Sequence, residues 1–417
     1  MVSSILIGAG QRGMDAYAAY ALQYPQRFRV VAVAEPDEAR RTAMARSHKI
    51  PPERCFADWR PLLALGKIAD CAMVCTQDRY HVEPAEAALK LGYHVLCEKP
   101  MHPEADQCIR LAEAAKASGK TLTICHVLRY SPFFTKIKEL LDQGRIGQLM
   151  AVQHIEGVAF WHQAHSFVRG NWRNSQESSP MILQKSCHDM DILLWLVGKH
   201  CQSVSSYGSL THFRPENAPP GSTERCYDGC PHTGDCPYFC GKIYEEDGGI
   251  APGFRRVVAL DGTAEAVAEA LRTGPYGRCV YRCDNDVVDH QVVNLLFEGG
   301  VTASFTMCAF TYHCSRTINL MGTRGQILGD MEKNQITLWD FLTGNREEIT
   351  IKTPKSGHSG SDTGLMEGFL RTVETDGAFQ RSSAEMSLES HLMALAAEES
   401  RLTGKTVDLQ EFRSRMA

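Results

Sequence analysis

The first thirteen residues constrain the fold more than any other stretch. Val2 to Ile7 is a short aliphatic and β-branched run that predicts a strand. Gly8-Ala9-Gly10-Gln11-Arg12-Gly13 follows it into a helix expected to run to about Gln23. In this G-x-G-x-x-G pattern Gly8 permits the tight turn, Gly10 lets a pyrophosphate approach the backbone, and Gly13 lets helix and strand pack closely. The free N–H groups at the helix start supply an anion site. A second run, RVVAVAE, ends on Glu35, where the ribose hydroxyls of an adenosine would sit. A carboxylate there repels a 2′-phosphate, so NAD is expected over NADP, with Arg12, Arg40 and Arg41 keeping NADP as the less favoured alternative. The competing reading is that Glu35 merely caps the helix that starts at PDEARR.

The alternation continues with strands predicted at 70–75, 93–97 and 121–125 and helices at 82–91 and 104–118. Such βα repetition implies a mostly parallel, doubly wound sheet, and the segments AMVC and HVLC are apolar on both faces, as strands covered by helices on both sides should be. This dinucleotide-binding domain should occupy 1–125. A chain of 417 residues exceeds one ordinary core, so a longer second domain is expected over 126–417.

Composition narrows the function. With 43% hydrophobic and 22% charged residues, disorder and fibrous architecture are excluded, and a net charge of −5 argues against a general nucleic-acid or anionic-membrane binder. No apolar run approaches the ~20 residues that span a bilayer. The start MVSSILIGAGQRG has no basic n-region, so no signal peptide and a cytoplasmic location are expected.

Glu98-Lys99-Pro100 follows the 93–97 strand. Ligands of open α/β sheets lie outside the carboxyl ends of the strands, so Lys99 is placed to reach the nicotinamide or the substrate and to share a proton with a hydroxyl. Pro100 stiffens the turn, and a cis Lys–Pro bond is open to it. In isolation such a lysine would more often be a solvated loop residue.

Together GAGQRG, AEPD, CTQDRYH and CEKPM resemble the Gfo/Idh/MocA family of nicotinamide-dependent oxidoreductases. HVLRYSPFFTKIKELLDQGRIGQL resembles the family's linker into its second domain, and SPMILQKSCHDMDILLWLVG its catalytic helix. The resemblance covers about 2–200 well and the remainder diffusely. It implies a Rossmann domain followed by an α/β domain whose large, mostly antiparallel open sheet covers the active site on one face. It assigns substrate orientation and proton transfer to Lys99 and acid/base duty to His188. The cofactor set it implies is Gly8, Gly10, Gln11, Arg12, Gly13, Glu35, Thr76, His81, Glu98 and Lys99. Many members carry an aspartate four residues before the histidine; this chain has Gln184 there, followed by Lys185. Gln184 could hydrogen-bond a sugar hydroxyl and Lys185 could replace part of the lost electrostatics.

Helical spacing supports this helix independently. Gln184 and His188 are i and i+4, and His188 and Asp191 are i and i+3, which would let Asp191 orient the imidazole. The alternative is a His188 that only satisfies a buried neighbour. Upstream, 154–173 holds Trp161, His162, His165, Arg169, Trp172 and Arg173, groups suited to polyols, of which His165, Arg169 and Trp172 join Gln184, Lys185 and His188 in the expected substrate set. The alternative places these aromatics in core. A late stretch, GHSGSDTGLMEGF, adds His358 and Asp362 as candidates.

Sixteen cysteines remain to be explained, most of them lone small hydrophobes within apolar runs. Cys226, Cys230, Cys236 and Cys240 form a C-x3-C-x5-C-x3-C array, in an insertion over about 220–245, that could close a structural zinc site. Iron–sulfur spacings are tighter, Cys279 and Cys283 could add distant ligands, and plain reduced thiols are the alternative. The expected function is an NAD-dependent dehydrogenase of a sugar or polyol, a small carbohydrate being the partner. The alternatives are a glycosidase that recycles tightly bound NAD, and a non-enzymatic dinucleotide sensor. Strands such as VVNLLFEGG and VTASFTMCAF suggest a sheet face buried in a homodimer or homotetramer.

Overall fold

The computed structural model describes residues 1–245, 249–352 and 360–416. Its first sheet holds six parallel strands: β1 (Val2–Ile7), β2 (Phe28–Ala34), β3 (Cys55–Phe56), β4 (Cys71–Val74), β5 (His94–Cys97) and β6 (Leu122–Ile124). The order β3-β2-β1-β4-β5-β6 reverses direction between β1 and β4, which opens a crevice at their carboxyl ends. Alternate residues of β1 enter different cores. Ile5 and Ile7 meet the helices Val82–Lys90 and Ala105–Ser118 on one face, while Leu6 joins Tyr17, Met73 and Leu96 on the other. That second face is covered by a helix from the far end of the chain, Ser361–Glu374, through Leu365, Met366, Phe369 and Leu370.

The helix expected after the glycine loop forms in two parts, a π-helical Arg12–Ala18 and an α-helical Ala19–Gln23. Asp37, not Glu35, caps the next helix, accepting from Arg40 N at 2.8 Å. The Lys99–Pro100 bond is cis.

The second sheet has nine strands: β7 (Leu149–Gly157), β8 (Cys201–Ser209), β9 (His290–Phe297), β10 (Thr302–Cys308), β11 (Ser315–Gly322), β12 (Gly325–Asp330), β13 (Gln335–Asp340), β14 (Arg346–Thr350) and β15 (Val407–Asp408), in the order β14-β13-β12-β11-β7-β10-β9-β8-β15. Neighbours are antiparallel except β7 and β10. Its inner face packs Val152, Phe305, Ile318 and Leu320 into one core with Phe133, Phe134 and Leu193 of the helices Pro132–Asp142 and Cys187–Val197. The helix Ala384–Thr403 adds Leu388, Leu392 and Met393 to the same core. Its N-terminal approach pairs with β6, Ile124 N donating to Ser382 O at 2.9 Å. No helix among the described residues is long and apolar enough to cross a membrane.

The insertion is longer than its cysteines suggest. The described residues between β8 and β9 supply most of a third apolar cluster, which includes Phe213, Tyr238, Tyr244, Leu271, Tyr276 and Tyr281. The zinc expectation fails here. Among the described residues no three His, Cys, Asp or Glu side chains converge where they could hold a metal. Cys240 is fully buried on the short helix Cys240–Tyr244 within that cluster. Cys226 accepts from Arg169 Nη2 at 3.6 Å, and the hydrogen bond from Cys240 together with that guanidinium holds its thiol below the ordinary range.

Candidate active site

A cleft of about 1650 Å3 runs from the carboxyl ends of β1 and β4 to the inner side of the second sheet. Its first wall is the glycine loop. Gly8 has φ of +92°, and a Cβ there would lie 2.5 Å from Cys75 O. A Cβ on Gly13 would lie 2.2 Å from Gly8 O, whereas one on Gly10 would meet nothing within 4 Å. Two glycines therefore close the turn and the third leaves open space above it, a cradle suited to a pyrophosphate.

Glu35 directly follows β2 and is buried. It accepts from Ala9 N at 2.6 Å and Asp37 N at 3.0 Å, and Arg40 Nη2 approaches it to 2.8 Å. One carboxylate thus fixes the glycine loop and lines the cleft.

Glu98 lies at the centre of a buried cluster. It accepts from Arg12 Nε at 2.9 Å and from the Tyr17 hydroxyl, while Arg12 Nη2 reaches Asp362 Oδ1 at 2.7 Å. Burial pushes the Glu98 carboxyl up, but Arg12, Lys99 and Tyr17 outweigh it and hold it below its ordinary value. Asp362 lies at the start of the Ser361–Glu374 helix, while His358 lies outside the described residues.

Lys99 is half-buried and donates from Nζ to the Gln184 carbonyl at 2.7 Å. Gln184 ends the short helix Met181–Gln184, and His188 follows in the first turn of the Cys187–Val197 helix. Lys99, Gln184, Lys185 and His188 all line the cleft. Asp191 does not orient His188. Its carboxylate is taken by Arg129 in a two-pronged pair at 2.7 and 2.8 Å, both side chains buried. His126 lies edge-on to His188 at 5.9 Å between ring centroids. Burial, Arg129 and Lys99 keep His126 neutral.

Gly8, Gly10, Gln11, Arg12, Glu35, Thr76, Glu98, His165 and Trp172 also face the cleft. His165 stacks between Phe254 and Tyr276, at 4.0 and 4.6 Å, and hydrogen-bonds the Tyr244 hydroxyl through Nδ1 at 2.7 Å. Three expected residues stand elsewhere. Gly13 is buried under the turn. His81 is buried behind it, its ring bonded to Pro100 O and Thr76 O at 2.7 and 3.0 Å. Arg169 points away into the insertion, donating to Arg278 O and Tyr238 O at 2.7 and 2.8 Å.

Sequence reasoning missed Arg316 on β11, which lines the cleft beside Lys185. It also missed Asp78, buried and accepting from Ser178 and Ser179 across the domain junction at 3.1 and 2.5 Å. A lone arginine on an alternating strand and an aspartate in a loop carry no local signal. Only the tertiary arrangement reveals them.

Two family models match the chain: an NAD-binding Rossmann fold of an oxidoreductase family over residues 2–126, and the C-terminal alpha/beta domain of the same family over 138–409. YteT of Bacillus subtilis is 26% identical over 314 residues, 72% of this chain and 71% of that protein. Inositol 2-dehydrogenase 2 of Saccharopolyspora erythraea is 28% identical over 180 residues, 43% of this chain and 49% of the enzyme, so that alignment spans about half of each. An oxidoreductase of Agrobacterium radiobacter, solved with NAD+, L-tartaric acid and magnesium, shares the fold at a TM-score of 0.71 and 14% identity, covering 98% of this chain and 99% of that one. With both domain models matched in order, the chain belongs to the Gfo/Idh/MocA family of oxidoreductases.

Proposed function

We propose that the protein is an NAD-dependent oxidoreductase that acts on a hydroxyl of a sugar, polyol or sugar derivative. The observation that carries this reading is the meeting of Lys99 and His188 with the glycine loop in one cleft. The names of relatives such as inositol 2-dehydrogenase favour a polyol.

The residues present fit a dinucleotide. Gly8, Gly10 and Gln11 would face the pyrophosphate, Glu35 the adenosine ribose, and Thr76, Glu98 and Lys99 the nicotinamide end. When bound, that cofactor supplies the two-electron acceptor. The chain's own groups handle the proton. Lys99 Nζ, anchored on the Gln184 carbonyl, donates a second N–H to the substrate hydroxyl oxygen and stabilises the charge that develops there. His188 accepts the hydroxyl proton. His165, which burial and Arg169 bring down to about 3, stays neutral and contributes a ring face and hydrogen bonding instead of charge.

A second reading, a glycosidase that keeps its cofactor through transient oxidation and reduction, is favoured by the Arg12–Asp362 bond at 2.7 Å, which ties a C-terminal helix across the glycine loop. One screen of sugars, polyols and aryl glycosides, read for both NADH and released aglycone, separates the two. NADH accumulation supports the dehydrogenase, and aglycone release without net NADH supports the glycosidase. Lys99→Ala and His188→Asn should each lower kcat by about 10^2–10^4-fold. Unchanged turnover in both would sink catalysis by this pair, whereas NADH binding with no turnover of any compound would favour the sensor. Self-association through the outer face of the second sheet, which exposes Ile155, Tyr207 and Leu296, belongs to the same reading and is read by sedimentation.

A further inference from the structure

The substrate side of the cleft is electrically lopsided. Among the described lining residues after position 126, the side chains charged at neutral pH are Lys185, Arg256, Arg316 and Asp362. Asp362 is bonded to Arg12 at 2.7 Å, and Arg256 is drawn to Asp15 at 3.3 Å. Lys185 and Arg316 therefore set the charge where the substrate would lie. At position 184 the chain presents a neutral amide to the cleft.

The two cations are held from behind. Lys185 Nζ is 3.1 Å from Glu156 Oε1, and Arg316 Nε is 2.8 Å from Glu156 Oε2 and 2.7 Å from Asp189 Oδ1. Glu156 and Asp189 have side chains fully buried beneath the wall and take no part in lining it. His154 Nε2 bonds the same Asp189 oxygen at 2.8 Å. The layer thus puts its carboxylates in the interior and its cations at the cleft. Burial opposes the Lys185 charge, but Cys314 and Glu156 outweigh it and the ammonium is retained. Lys99 faces the same space. Lys185 and Arg316 are each balanced from behind by a buried carboxylate, and Lys99 lies beside Glu98, so the wall offers N–H donors without a large net charge, which suits a monoanionic carboxylate better than a phosphate dianion.

We propose that Lys185 and Arg316 form the seat for a carboxylate of the substrate, so that the compound oxidised is an acidic sugar such as a uronic or aldonic acid. This rests on the oxidoreductase reading above. In this arrangement Glu156 and Asp189 act as positioning residues, fixing both cations before substrate arrives.

The test measures kcat/KM with NAD+ for D-galacturonate, D-glucuronate, the corresponding hexoses and their 6-phosphates. Calorimetric binding of the same compounds to the NADH-loaded protein runs in parallel. Acids should exceed hexoses by about tenfold or more; Lys185→Met should collapse that ratio, and Lys185→Arg should restore part of it. Hexoses equal to the acids, or phosphates above both, would overturn the seat from wild-type data alone, even if the variant failed to fold. A ratio unmoved in a Lys185→Met protein that still binds NADH would overturn it too. Lys185-dependent binding of acids without any turnover would support the seat and overturn the oxidoreductase reading instead.

Discussion

Arg12 Nη2 lies 2.7 Å from Asp362 Oδ1, joining the glycine loop to a helix 350 residues downstream. The same guanidinium bonds Glu98 at 2.9 Å. The first sheet's cofactor edge is therefore completed by the last part of the chain, and the two ends of the sequence fold as one unit.

Removing one partner of this pair leaves a largely buried charge. Arg12→Met or Asp362→Asn should each cost about 2–4 kcal/mol of stability. The double variant should cost less than the two together, with a coupling of about 1–3 kcal/mol by urea unfolding. Strict additivity would show that the bond contributes nothing of its own.

The glycines separate folding from cofactor binding. A Cβ at position 13 collides with backbone at 2.2 Å, whereas one at position 10 meets nothing within 4 Å. Gly13→Ala should lower the melting temperature of the cofactor-free protein by a few degrees, since about 1 kcal/mol shifts a chain of this size by about 1 °C and a collision with backbone costs several times that. Gly10→Ala should leave that temperature unchanged within a degree or raise it slightly, yet weaken NADH binding by about tenfold or more, because its methyl group fills the cradle. Calorimetric titration checks the second half. Normal NADH affinity in Gly10→Ala would place the pyrophosphate elsewhere.

Glu35 sits between the Ala9 amide and Arg40. Glu35→Ser removes a charge that opposes a 2′-phosphate and frees the guanidinium to meet one. The ratio of kcat/KM for NADP+ to that for NAD+ should rise about tenfold or more. An unchanged ratio would remove Glu35 from cofactor selection.

Three buried histidines set the response to acid. Burial holds His126 well below its ordinary value, aided by Arg129 and Lys99, and brings His165 and His391 to about 3, aided by Arg169 and His126 respectively. Neutral in the fold, they take up protons only on unfolding once the pH drops below about 6.5. Stability is therefore intact above that pH and lost progressively toward about 3, at about 1.4 kcal/mol per pH unit for each histidine. Urea unfolding at pH 7.5, 6.5 and 5.5 should show a larger loss in the lower interval. Equal losses would mean that these rings are already protonated in the native protein.

The sequence by itself determined five of the six parallel strands of the first sheet, all but the two-residue edge strand β3, together with the glycine turn, Glu35 at its strand end, Lys99 after β5 and His188 on its helix. Each is written in local terms: a period of apolar residues, a glycine where a Cβ would collide, a short spacing on one helix. The tertiary structure decided the rest. Arg169 and Arg316 look alike in sequence, yet the insertion turns Arg169 away among Tyr238, Arg278 and Cys226, while β11 turns Arg316 toward the cleft. Asp191 has the right helical spacing for His188 but is held in a two-pronged pair by Arg129, which the 3-10 turn Val127–Tyr130 carries. Close spacing of four cysteines does not make a metal centre: Cys240 bonds Cys226, Cys226 also accepts from Arg169, and among the described residues no three ligating side chains converge. A buried charge takes whichever partner compensates its lost hydration, and that partner is fixed by packing between segments far apart in the chain.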